Sequence, residues 1–299
     1  MTVNNVEQLN AVNLQYKLPF GSRQWVKCGG MKNLSEELMM PPGKKFRLKS
    51  FDAAATYGYD KVGAADLLPK NLERLAVLQY LLYAEDKRAV LVVLQGIDAG
   101  GKDGVIRHVM TGLNPQGVTV TPFKVPEGKE KKHDYLWRVH NAVPEYGQIG
   151  IFNRSHYEEV LVVRVHNLVP KEIWKQRYEQ INNFERMLSD NGVTIIKFLL
   201  MISKDEQAKR FHERIEDKTK NWKFNEADLK ERERWDDYMA AYDDMLEKCS
   251  TPWAPWHVIP SNRKWFRNLA ISEILCERMQ SMDLKYPANT TDLSKIAFE

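Results

Sequence analysis

The stretch Val90-Leu91-Val92-Val93-Leu94-Gln95-Gly96-Ile97-Asp98-Ala99-Gly100-Gly101-Lys102-Asp103-Gly104-Val105-Ile106 decides the fold class. Its first five residues are apolar and mostly β-branched, the pattern of a strand buried on both faces. Gly96, Gly100 and Gly101 then interrupt the run, and after Lys102 the apolar residues Val105, Ile106 and Val109 recur at helical spacing. A strand, a tight turn and a helix start therefore follow in order. The spacing Gly96-x-x-x-x-Gly101-Lys102 is that of a phosphate-binding loop. Glycines allow consecutive backbone N–H groups to converge, the helix N-terminus adds partial positive charge, and Lys102 can reach outer phosphoryl oxygens. The ligand-facing set of the loop is Gly96, Ala99, Gly100, Gly101, Lys102, Asp103 and Gly104. A plain glycine turn after a buried strand competes with this reading; the lysine and the helix behind it argue against it.

Two carboxylates make the loop unusual. Asp103 stands where such loops carry a Ser or Thr ligand of Mg2+, and Asp98 lies inside the loop itself. A carboxylate beside phosphates repels them unless a hard cation intervenes, so Asp98 reads as a ligand of Mg2+, with Mn2+ as a substitute. The alternative is that Asp98 only shapes the loop through backbone hydrogen bonds, as Asp does in many turns.

Composition bounds the remaining classes. A chain of 299 residues, 43% hydrophobic and 28% charged, is long enough for one large α/β domain with an ample core. Its 44 basic and 40 acidic residues leave a net charge of +4, so bulk charge gives no case for nucleic acid as a partner. Cys28, Cys249 and Cys276 are odd in number and far apart, which points to a reducing compartment and against a disulfide or zinc site. The N-terminus lacks a basic region followed by an apolar one, and no apolar run is long enough to cross a bilayer. The expectation is a cytoplasmic protein with no membrane partner.

Further along, a helix is expected over 69–85, with Pro69 in its first turn and Leu72, Leu75, Leu78 and Leu82 as its core stripe. Lys44-Lys45-Phe46-Arg47-Leu48-Lys49 is either a solvated surface segment or the start of a cationic track. Val118–Thr121 alternates into a strand, and Lys124 follows its end, where an open parallel sheet faces its ligand crevice. Ile149–Phe152 is a short buried strand that runs into Asn153-Arg154-Ser155-His156-Tyr157-Glu158-Glu159. The neutral oxygen of Asn153 can orient a metal-bound water, Glu158 or Glu159 can support the metal from outside, and the fork of Arg154 can hold phosphoryl oxygens bidentately.

A helix over 171–188 turns Trp174, Tyr178, Ile181, Phe184, Met187 and Leu188 inward, and Gly192 is placed for a left-handed cap before the strand 193–201. Four strands alternating with helices make a parallel sheet covered on both faces, a three-layer α/β fold of the P-loop kinase type. Ser203-Lys204-Asp205-Glu206 has the form of a capping box, and Arg210 and Arg214 lie one turn apart on the helix it opens. Asn225 caps one further helix that packs through Leu229, Trp235, Tyr238 and Tyr242, residues 250–260 read as an ordered wrapping loop, and a last helix runs over 262–280.

Four separated motifs, GIDAGGKDG at 96–104, GLNPQG at 112–117, FNRSHYE at 152–158 and FLLMISKDEQAKRFHER at 198–214, together resemble the polyphosphate kinase 2 family. More narrowly, they resemble its short single-domain members, which phosphorylate nucleoside mono- and diphosphates. The resemblance implies one phosphotransferase domain over 1–299, with a helical lid over 203–248 in which Arg210 and Arg214 meet phosphates. It implies Asp98, Lys102 and Arg154 as the catalytic set, Lys124 near phosphate, and Asp98, Asn153 and Glu158 on the metal. Inorganic polyphosphate would be the donor and AMP or ADP the acceptor, giving ADP and ATP, with other purine nucleotides as further acceptors. A homo-oligomer is expected. Many relatives look like Asp at the position of Asn153, so Asp98 carries more of the metal here, and an aspartate at 153 should be tolerated or should tighten metal binding. From the residues unaided the reading stops at a P-loop phosphotransferase, and an ATP-dependent nucleotide or small-molecule kinase and a non-enzymatic polyanion-binding protein stay open beside it.

Overall fold

The computed structural model describes residues 33–291 and residue 296. Cys28, the N-terminal residues searched for a targeting segment, and both ends of the 1–299 span lie outside the described residues. In chain order the elements are α1 (Leu34–Leu38), α2 (Lys61–Glu85), β1 (Ala89–Gln95), α3 (Lys102–Val109), β2 (Val118–Pro122), α4 (Trp137–His140) and β3 (Ile149–Asn153). They continue with α5 (Val162–Val165), α6 (Lys171–Asp190), β4 (Val193–Met201), α7 (Lys204–Glu216), α8 (Ala227–Glu233), α9 (Trp235–Cys249), β5 (Trp256–Pro260) and α10 (Lys264–Gln280).

The strands form one parallel sheet in the order β2-β3-β1-β4-β5. All seven residues of β1 are buried, and its side chains divide by parity between two cores. Leu91 and Val93 join Trp174, Tyr178 and Ile181 of α6 and Tyr242 and Met245 of α9. Val90, Val92 and Leu94 join Leu75 and Leu82 of α2, Val105 of α3 and Ile271 of α10. Helices on both faces of a parallel sheet follow, as the unbroken apolar run requires. Each fully buried aliphatic side chain in these layers contributes about 1.5–3 kcal/mol relative to exposure. The register sets Leu94 beside Asn153 and Asn153 beside Pro122, so the C-terminal ends of β1, β3 and β2 are level. Whatever follows those ends shares one edge of the sheet.

Several expectations need correction. The sheet has five strands, not four: Trp256–Pro260, read as a wrapping loop, pairs with Lys197–Met201. Prolines tolerated on an edge strand hid it. Its outer edge is covered by the segment after α1, where Met40 N donates to Trp256 O at 2.7 Å. The helix expected over 69–85 begins at Lys61, with Asp60 as N-cap accepting from Val62 and Gly63. Pro69 therefore sits inside it; the carbonyl it leaves unpaired, that of Ala65, belongs to an exposed residue that water can reach.

The single helix expected after Asn225 is two. α8 contains no buried residue and leaves Leu229 47% exposed, whereas Tyr238, Tyr242, Met245 and Leu246 of α9 are buried. Asn225 still caps locally, accepting from Ala227 N at 3.0 Å. Met187 lies off the buried stripe of α6, and Gly192 does take the left-handed conformation, at φ +83°. Only half of the capping box forms: Ser203 accepts from Glu206 N, while Glu206 turns its carboxylate to Arg210. No helix among the described residues is long and apolar enough to cross a membrane.

Candidate active site

The chain leaves β1 through a loop whose shape is fixed by close approach. A Cβ on Gly96 would come 2.8 Å from Leu200 O, and Gly101 adopts φ +106° as N-cap of α3. Neither position accepts a side chain without strain. Gly100 N closes a turn on Ile97 O at 2.9 Å, and Ala99 is held at φ +61°. Lys102, the first residue of α3, folds back so that Nζ donates to Gly96 O at 2.6 Å. Burial, with Arg154 adding to it, lowers its pKa from the ordinary lysine value. A partly desolvated ammonium on a loop rim is a strong electrostatic partner for an incoming anion.

The end of β3 meets this loop. Arg154 N still donates to Leu94 O at 3.0 Å, but the residue turns to φ +63°, a left-handed conformation that costs a non-glycine residue energy. Its Nη2 lies 2.9 Å from Asp98 Oδ1. One residue earlier, Asn153 Nδ2 donates to Asp103 Oδ1 at 3.0 Å, and Lys223 reaches Asp103 Oδ2 at 3.1 Å. Burial pushes the Asp103 carboxyl up, but the bonds from Lys223 and Asn153 outweigh it and the pKa is lowered. Glu158 lies behind them, accepting from Gln95 Nε2 at 3.1 Å; burial raises its pKa against the opposing charges of Arg154 and Lys102.

A cavity of about 700 Å³ opens at these strand ends. Its wall brings together Asp98, Ala99, Gly100, Gly101, Lys102, Asp103 and Gly104 of the loop with Lys124, Asn153, Arg154, Arg210 and Arg214. Gly96 and Glu158 are not on that wall. Arg210 reaches it with its donors already committed: Nη1 to Ala99 O at 2.8 Å, Nη2 to Ser261 O at 2.6 Å, and Nε to Glu206 at 2.8 Å. This guanidinium braces the loop from behind, with Gln207 Nε2 adding a bond to Asp98 O at 3.0 Å. Arg214 pairs with Asp228 of α8 at 3.5 Å. Lys124 is exposed, and its carbonyl accepts from Arg138.

Sequence reasoning missed the contribution of α10. Lys264, Trp265, Arg267 and Asn268 all line the cavity, yet nothing in the pattern of that helix separates them from an ordinary amphipathic start. Their place follows only from β5, the strand that went unread.

Among the described residues no three His, Cys, Asp or Glu side chains converge to cage a metal. Asp98 does offer Oδ2, which has no hydrogen bond within the described residues, and Asn153 offers Oδ1. Mg2+ is commonly held by one or two carboxylates together with substrate phosphates and water, so this sparse oxygen set fits it.

A family model described as polyphosphate kinase 2 matches residues 41–287. The chain is 51% identical over 260 residues to a Meiothermus ruber protein named AMP/ADP-polyphosphate phosphotransferase, covering 86% of this chain and 97% of that one. It is 45% identical over 273 residues to a Rhodopseudomonas palustris protein named ADP-polyphosphate phosphotransferase, covering 87% and 94%. It also superposes on the crystal structure of polyphosphate kinase 2 from Arthrobacter aurescens TC1 with a TM-score of 0.85 and 42% identity, over 88% of this chain and 94% of that one. With a phosphate loop facing the end of β3 across one cationic cavity, and with these matches along most of its length, the chain belongs to the polyphosphate kinase 2 family.

Proposed function

We propose that this protein transfers the terminal phosphoryl group of inorganic polyphosphate to AMP and ADP, giving ADP and ATP, and accepts other purine nucleotides at the same site. The observation that carries this is the shared cavity whose wall holds Lys102, Lys124 and Arg154 together with Asp98, in a chain half identical to a protein named for that activity. An ionised oxygen of the nucleotide phosphate attacks the terminal phosphorus of the chain. The bond from that phosphorus to its bridging oxygen breaks, and the shortened polyphosphate leaves as an oxyanion. Because the nucleophile is already ionised, no strong general base is needed and positioning dominates.

Each residue has a task in this scheme. Lys102 and Arg154 stabilise charge on the group in flight, and Lys124 holds phosphate from the cavity wall. Asp98 and Asn153 Oδ1 hold Mg2+, with Glu158 supporting from behind; the ion supplies charge neutralisation between two polyanions. Within 203–248, α7 and α8 act as a lid that excludes water, while α9 stays packed in the core, so that transfer goes to the nucleotide and not to hydrolysis. Arg210 serves by holding the loop, and Arg214 with Lys223 brings positive charge from the lid to the cavity wall.

Incubation of the purified protein with Mg2+, polyphosphate as sole donor, and AMP or ADP separately tests the reading. ADP and ATP are the expected products; transfer from ATP but none from polyphosphate overturns it. We also place the protein in the cytoplasm, in keeping with the buried free thiols of Cys249 and Cys276, and as a homo-oligomer, which sedimentation of the full chain tests.

A further inference from the structure

Arg267 lies in the first turn of α10 and is only 3% exposed. Its guanidinium packs directly against the phosphate loop: a Cβ on Gly101 would fall 2.0 Å from Nη1, and one on Gly104 would fall 2.9 Å from Nη2. Gly101 and Gly104 are the N-cap and third residue of α3, so the positive charge sits against that helix's N-terminal end. Within the described residues its hydrogen bonds are from Nε and Nη2 to Asn268 Oδ1, at 3.1 and 2.8 Å. No carboxylate pairs with it, and Nη1 has no partner there.

Three effects oppose a cation in this place. Burial removes its hydration, the end of α3 carries partial positive charge, and Arg210 is a second buried guanidinium beside the same glycine. Burial and then Arg210 pull its pKa down to about 10, which still leaves it charged at neutral pH. An arginine whose only task was to brace the loop would have its donors on carbonyls, as Arg210 does. Arg267 instead lines the cavity with an unpartnered nitrogen. A phosphoryl group bound on the loop would oppose all three effects at once.

We propose that Arg267 is a phosphate-binding residue, with Nη1 donating to an oxygen of the phosphoryl group seated on the loop and its charge left uncompensated until that group arrives. This rests on the phosphotransferase reading and adds to the loop a ligand from the opposite end of the sequence. The phosphoryl group belongs either to the polyphosphate or to the nucleotide, and the two are told apart by titrating each.

Arg267→Met and Arg267→Lys, beside the wild type, are to be followed by thermal melting and by calorimetric titration with inorganic tripolyphosphate and with AMP. Without ligand, R267M should melt at or above the wild type, because a buried unpaired charge has been removed. Its affinity for the ligand whose phosphate sits on the loop should fall about tenfold or more, with a matching loss of ligand-induced stabilisation, and R267K should recover part of it. A fall for tripolyphosphate assigns the donor chain, and a fall for AMP assigns the acceptor. The inference is overturned if ligand-free R267M melts below the wild type or fails to fold, since the arginine then braces the loop. Unchanged affinity for both ligands overturns it equally. A wild type that binds tripolyphosphate but transfers nothing from polyphosphate would sink the phosphotransferase reading while leaving this one standing.

Discussion

Arg154 Nη2 donates to Asp98 Oδ1 across 2.9 Å, tying the end of β3 to the middle of the phosphate loop. Both side chains are partly exposed, at 42% and 26%, so the pair adds at most about 1 kcal/mol to stability. Its significance is positional. It holds the arginine fork over the loop, on a backbone turned to φ +63°, until substrate phosphates compete for the guanidinium.

Arg154→Ala should therefore fold with nearly wild-type stability and lose about 10²- to 10³-fold in kcat, the usual effect of removing one transition-state donor. Asp98→Asn should lose turnover at ordinary magnesium. Turnover measured against Mg2+ concentration checks both; D98N with the wild-type magnesium dependence would leave Asp98 as a loop-shaping residue only.

What the sequence revealed and what it hid have different physical origins. β1, β3 and β4 were legible because strands buried on both faces are predominantly apolar, Lys197 of β4 being the one charged residue among them, and Asp98, Lys102 and Arg154 were legible because they follow such strands. β5 was hidden by the prolines at 252, 255 and 260, which an edge strand tolerates at its ends. Arg267 was illegible because its environment is set by tertiary contact with Gly101 and Gly104, far away in the chain. The role of Arg210 shifted for the same reason: helical spacing showed which face it occupies, but not that loop carbonyls already take its donors.

Asn153 illustrates how geometry changes an expectation. An aspartate there looked tolerable as an added metal carboxylate, yet Asn153 Nδ2 donates to Asp103 Oδ1 at 3.0 Å. Asn153→Asp alone sets two carboxylates against each other, and one of them must then be protonated or bridged by a cation. Because a bound cation relieves that repulsion, N153D should lower the magnesium concentration needed for half-maximal turnover, and Asp103→Asn in the same chain should move it back toward the wild type. Equal magnesium dependence of N153D and wild type would show that the two side chains do not act together.

Behind the site, Lys197 of β4 and Glu185 of α6 form a wholly buried ion pair at 2.6 Å. Lys197 also donates to Tyr157 OH at 2.7 Å and Cys249 O at 2.8 Å, while Glu185 accepts from Tyr157 OH at 2.8 Å. Burial would raise the Glu185 carboxyl, but Lys197 and His156 outweigh it and keep it ionised. Lys197→Met or Glu185→Leu alone leaves one charge buried without its partner and should cost about 3–5 kcal/mol. The double variant should cost less than the sum of the two. Urea unfolding of the three variants measures the coupling, and simple additivity would show that the pair is not the unit of stability.

His257 supplies a pH signature of the fold. It lies on β5, 1% exposed, with Nδ1 donating to Lys197 O at 3.3 Å, and burial pulls its pKa down from 6.5 to about 4. The folded protein thus holds the ring neutral where the unfolded chain would protonate it. A base with a depressed folded pKa contributes no penalty above its unfolded value and an increasing one as pH falls from there toward the folded value. The full difference is about 3 kcal/mol, of which about 2 kcal/mol should develop between about pH 7.5 and about pH 5. His257→Gln keeps an N–H donor for Lys197 O but does not titrate, so its unfolding free energy should decline less over that interval by the same amount. Parallel urea titrations of wild type and H257Q at the two pH values read this directly; equal declines would mean that His257 is protonated in the folded protein and that the closed packing around β5 does not exclude its charge.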